Sequence, residues 1–129
     1  MAFKISDVAI VTDTRTFTRY GETTNNLGNT GATPTIDLSN GNFVTAVLNQ
    51  NATWTFSNAT TTGVCSFTLY LANDATAGRT ITWPAAVKWP GGTVPSRTTT
   101  ASRADVYTFW TADSGTNWYG SLAQFNYVA

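Results

Sequence analysis

Val64-Cys65-Ser66-Phe67-Thr68-Leu69-Tyr70-Leu71 decides the fold class of this chain. Side chains alternate across a β-strand, so Cys65, Phe67, Leu69 and Leu71 fall on one face and Ser66, Thr68 and Tyr70 on the other. The first face is apolar and the second is not, as expected of a strand with one side in a core. Cys65 is the single cysteine, which excludes an intramolecular disulfide. Set in this apolar run, it reads as a small buried hydrophobe.

Working outward, the same kind of segment recurs between turn signals. Toward the C-terminus, Asn73–Gly78 turns the chain and Arg79–Trp83 puts Ile81 and Trp83 together. Pro84 and Pro90 bracket an irregular stretch to Gly92, because proline removes a ladder donor and is confined to edges or loops. Val106–Trp110 reads as a strand, Asp113–Asn117 as a hairpin loop, and Trp118–Ala123 as its returning partner, with Phe125–Val128 closing the chain. Toward the N-terminus, Ser57–Gly63 is a loop and Trp54 and Phe56 share a face. Phe43–Leu48 is a strand, preceded by the turn Ser39–Asn42, whose Asn40-Gly41 is a strong hairpin signal. Thr35–Leu38 is a short strand. No window carries a helical apolar stripe. Gly21–Pro34 is turn-rich and nearly devoid of apolar residues, so it reads as a linker. The expected architecture is all-β: an antiparallel β-sandwich or jelly-roll-like module over 35–129, preceded by an extended arm and linker over 1–34.

Within the arm, Lys4–Val11 is apolar and Thr12–Arg19 alternates strictly, with Thr on one face and Asp13, Arg15, Phe17 and Arg19 on the other. Neither face suits a core. The segment reads either as a polar edge strand or as an arm lying on a neighbouring subunit, and Ile5, Val8, Ile10, Arg15, Phe17 and Arg19 are its candidate assembly contacts. Composition agrees with assembly. Charged residues make up 11% of the 129 and the net charge is zero, against about 25% charged in an ordinary domain. A surface so weakly charged gives little protection against association, and a subunit that buries it in an assembly needs less.

The chemistry available is narrow. There is no histidine, which removes His-dependent triads, histidine general bases and His-containing zinc sites. One cysteine cannot make a Cys₄ site, and no phosphate-cradling glycine loop is present. The carboxylates, Asp7, Asp13, Glu22, Asp37, Asp74, Asp105 and Asp113, mark no catalytic pair, and most adjoin turn residues where Asp caps the backbone. The chain reads as a non-enzyme with no metal and no cofactor. Zero net charge gives no nucleic-acid footprint, so Arg97 and Arg103 read as contacts to a neighbouring subunit. No apolar run is long enough to span a membrane, and Met1–Asp7 lacks a secretory h-region, so synthesis in a cytoplasm is expected. Of the five tryptophans, Trp54, Trp83 and Trp110 alternate with Thr and read as core or interface. Trp89, between Lys88 and a Pro-Gly-Gly turn, is the candidate for surface exposure and contact with a glycan.

Gly41–Phe56, Ile81-Thr-Trp-Pro-Ala-Ala-Val-Lys-Trp-Pro-Gly-Gly92, Asp105–Phe109 and Trp118–Gly120 together resemble a β module of virion structural and tail-fibre proteins of tailed phages, especially phages of cyanobacteria and marine bacteria. The resemblance spans about residues 36–123, and 81–92 is its most specific part. It implies a virion component, often homotrimeric, such as a capsid decoration (cement) protein or short fibre at head, neck or tail. Its implied partners are copies of itself and the major capsid or tail proteins, with no nucleic acid and no membrane. The alternative is a carbohydrate-binding module for host-surface recognition, suggested by Trp89 and the Thr/Asn-rich loops.

Overall fold

The computed structural model describes residues 21–129. Ten strands run in order: β1 (Thr24–Asn29), β2 (Thr35–Asp37), β3 (Phe43–Leu48), β4 (Ala52–Thr53), β5 (Thr55–Ser57), β6 (Cys65–Asn73), β7 (Ile81–Thr82), β8 (Val87–Lys88), β9 (Arg103–Thr111) and β10 (Trp118–Val128). The all-β expectation holds. A six-stranded sheet, β1-β3-β6-β9-β10-β8, forms one layer, and the short pairs β2-β5 and β4-β7 form the other.

Strand direction is mixed where an antiparallel sandwich was expected. β1, β3 and β6 lie parallel, as do β2 with β5, β4 with β7, and β8 with β10. Among the described residues only β6-β9 and β9-β10 are antiparallel. The chain therefore winds. It runs up the large sheet, crosses, returns through the small layer and climbs again one strand along. From β1 to β7, parallel partners lie roughly 19–29 residues apart, a repeat-like spacing. Parallel neighbours need a long crossover, and here the second layer supplies it. Backbone bonds stitch the return segments together: Thr53 N–H to Ala32 O (2.9 Å), Thr55 N–H to Pro34 O (3.0 Å) and Trp54 N–H to Thr82 O (2.9 Å).

Two local readings change accordingly. Asn40-Gly41 makes a corner between layers, not a hairpin, because β2 and β3 are not partners. Gly41 sits at φ +137°, and a Cβ there would lie 2.3 Å from the Thr23 carbonyl oxygen. Glycine is required by close backbone approach as well as by φ. The turn-rich stretch 21–34, expected to be linker, contributes β1 to the sheet edge. Its bulge between Asn26 and Gly28 takes up the extra residue.

Between the layers lies an aromatic core. The inner face of the large sheet presents Val44, Leu48, Phe67, Leu69, Tyr107 and Phe109; the small layer presents Ile36, Ala52 and Trp54. Phe56 bridges them, its ring 5.0 Å from Phe67, 5.1 Å from Phe109 and 5.4 Å from Trp118. Residues 81–92 close one side. Trp83 stacks on Trp54 at 5.9 Å, and Trp89 meets Phe109 edge-on at 5.7 Å.

A polar network anchors the connection from β8 to β9. Asn73, at the end of β6, donates to Thr98 O (3.0 Å) and Thr100 O (2.8 Å), and its Oδ1 accepts from Arg97. Arg97 also donates to Arg79 O (2.8 Å). Arg97, expected to contact a neighbouring subunit, makes these hydrogen bonds within its own chain. Next to this network Tyr107 has its phenol pKa pushed up from 10.0 to about 12, chiefly by burial and then by the Asp105 charge, with Arg97 partly offsetting. The neutral phenol is favoured in the fold, so this stabilisation is complete below about pH 10 and is lost as pH rises toward 12. We expect the thermal midpoint, followed by circular dichroism, to fall through that window. Tyr107→Phe should remove this component of the loss.

Candidate functional site

The β9-β10 hairpin builds an outer surface that carries exposed aromatic side chains. Its register is set by the loop. Buried Thr111 Oγ1 donates to Asp113 Oδ1 (2.9 Å) and accepts from Gly115 N–H (2.9 Å). Asp113 in turn accepts from the Asn117 backbone N–H (2.9 Å) and side chain (2.8 Å). These bonds, that of the Asn117 side chain foremost, hold the Asp113 carboxyl below its ordinary pKa. The loop then places Tyr119 directly opposite Trp110.

Tyr107 and Phe109 face inward, so Trp110 faces out. Trp110 is 45% exposed and Tyr119 44%, and their rings stack at 4.4 Å with planes 19° apart. Trp110 had read as core or interface. Trp89, the expected surface contact, is only 9% exposed and belongs to the core cluster. Its burial has a specific cause. Gly120 carries no side chain, and a Cβ there would fall 2.9 Å from the Trp89 ring and 2.8 Å from Phe109. The indole fills the space that glycine leaves.

An open groove of about 380 Å³ lies beside the pair, lined by Lys88, Pro90, Tyr119 and Ser121, with Trp89 and Gly120 beneath. On the β6 side Trp110 borders a trough of about 160 Å³ with Ser66, Thr68 and Thr108, closed by Glu22 and Asn42. Glu22 and Asn42 also border a third hollow of about 430 Å³ around Ser39 and Asn40. Thr108 and Ser121 hydroxyls sit 2.7 Å apart between the first two.

The second exposed feature is the C-terminal half of β10. Residues 123–129 are all exposed, and Phe125 (68%), Tyr127 (41%) and Val128 (78%) stand among them. Beyond Tyr119 this strand has no partner on its β8 side among the described residues.

Asp37 and Asp74 hold turns. Asp37 accepts from Ser39 and Asn58, and Asp74 pairs with Arg79 at 3.0 Å and accepts from Thr76 N–H. Hydrogen bonds from Ser39 and from Arg79, respectively, lower their pKa values. Among the described residues no group of three His, Cys, Asp or Glu side chains could hold a metal ion, and no helix is long and apolar enough to cross a membrane. Cys65 is half-buried against the core. The candidate arm contacts Ile5, Val8, Ile10, Arg15, Phe17 and Arg19 lie outside the described residues.

No protein-family model, curated protein or solved structure matches this chain.

Proposed function

We propose that this chain is a structural subunit of a tailed-phage particle, a non-enzymatic β module that assembles with copies of itself and with other virion proteins. The observation that carries its assembly is the exposed apolar end of β10. Three large side chains, Phe125, Tyr127 and Val128, are exposed on a strand whose β8-side edge has no partner beyond Tyr119 among the described residues. Exposed apolar patches and unpaired strand edges mark surfaces that are covered by a partner. The 11% charge content supports the same reading, because such a surface is poorly defended against association. The phage assignment is supported by the resemblance carried by residues 81–92, which form the Trp83–Trp89 closure of the core.

Light scattering tests self-assembly. The purified native protein is expected at a multiple of the chain mass, three for the trimer that the resemblance implies. The double variant Phe125→Ser, Val128→Ser is expected at one chain mass with an unchanged circular dichroism spectrum, since both side chains are solvent-facing. A native protein that is monomeric at high concentration would overturn the proposal.

A further inference from the structure

The geometry points to a second role for the large sheet's outer face: the Trp110–Tyr119 pair and the troughs on either side form a binding site for an uncharged oligosaccharide. This rests on the hairpin alone and holds independently of the assembly reading.

Three observations converge. First, two large aromatic rings stand nearly half exposed beside a row of hydroxyl side chains, which Phe43 ends on β3. Ser66 and Thr68 face out on β6, and Thr108 and Ser121 on β9 and β10. A cross-strand aromatic pair stabilises a hairpin by about 0.5–1.5 kcal/mol, but that contribution needs no flanking cavities. Here Trp110 borders hollows on both sides. Second, the lining is matched to sugars. Pyranose rings present apolar C–H faces, which suit aromatic faces and edges, and a rim of hydroxyls, which suit Ser, Thr and Asn. The Thr108–Ser121 bond uses one proton and leaves lone pairs and a second proton for a ligand. Third, the hollows lie next to one another. Trp110 is shared by the first two, and Glu22 and Asn42 by the second and third. A succession of neighbouring hollows suits a chain of several sugar units better than one. Among the described residues Lys88 and Glu22 are the charged groups lining these hollows, one of each sign, which gives nucleic acid or a strongly acidic polymer no net charge to seek there. Ligand pockets commonly reach roughly 300–1,000 Å³, and the two larger hollows fall in that range.

The test is a printed array of neutral oligosaccharides four or more units long, probed with the native protein, Trp110→Ala and Trp110→Phe. Hits are then titrated in solution by tryptophan fluorescence. Native protein is expected to bind at least one oligosaccharide with a change in emission. Trp110→Ala should weaken it about tenfold or more, with Trp110→Phe between them. Circular dichroism of Trp110→Ala should stay native, and Ser121→Ala gives a second weakened variant that leaves the hairpin pair in place. The absence of any array signal for the native protein would overturn the inference. So would unchanged affinity in Trp110→Ala and Ser121→Ala, or a shift of Trp110→Ala to monomer in light scattering with no glycan effect, which would make the pair a subunit contact.

Discussion

Trp54→Ala should lower the unfolding free energy by about 3–5 kcal/mol, a large part of the roughly 5–15 kcal/mol typical of a domain. Trp54 is 1% exposed and stands at the seam between β4 and β5. Its backbone N–H holds the return segments together through Thr82, and its indole stacks on Trp83. Alanine would leave the backbone bond but open a cavity between the two layers. The surrounding rings are fixed by their own contacts and can collapse only in part. The indole Nε1–H is buried without a protein acceptor among the described residues. Trp54→Phe therefore sacrifices no hydrogen bond and keeps much of the ring volume, so its cost should be less than half that of alanine. Urea denaturation of both variants, monitored by far-ultraviolet circular dichroism, measures the difference.

The second large effect is expected at Asp105. This side chain is 2% exposed, inward from β9, and accepts from Thr98 N–H at 2.7 Å and Asn126 N–H at 3.0 Å. One carboxylate thus ties the β8–β9 connection and the far end of β10 to the sheet. Hydrogen bonds to a charged acceptor are stronger than neutral ones. Asp105→Ala strands two donors near Arg97 and should cost about 3 kcal/mol. Asp105→Asn retains one acceptor oxygen and should cost about half as much. Hydrogen exchange should show the amides of Thr98 and Asn126 losing protection first. Equal protection in Asp105→Ala would mean that the loop is held by Asn73 alone.

What the sequence made legible follows the range of each signal. Alternation in 64–71 is local, and it sets Phe67, Leu69 and Leu71 on the face that enters the core. The Asp113–Asn117 loop is a short-range hairpin, and its partner strands pair as expected. Parallel pairing was not legible, because β1, β3 and β6 meet only after a full lap and nothing local encodes that meeting. Asn40-Gly41 misled for the same reason: its glycine answers to Thr23, distant in sequence, and not to a two-residue turn. At the candidate site, alternation with Thr left Trp110 open between core and interface, and the strand turns it to the outer face. The hairpin loop held the missing signal. Counting back from it sets Trp110 opposite Tyr119 and leaves Tyr107 and Phe109 for the core. Trp89 was assigned to the surface from its polar neighbours, but the space left by Gly120, on another strand, draws it inward.

The measurement closest to the central claim is immunogold electron microscopy, with quantitative protein analysis, of purified particles of a phage that encodes this chain. A virion structural subunit is expected to remain with the particles through density-gradient purification, in a fixed ratio to the major capsid protein, and to label one defined location. Protein that is made during infection yet recovered only in the particle-free supernatant would contradict the account.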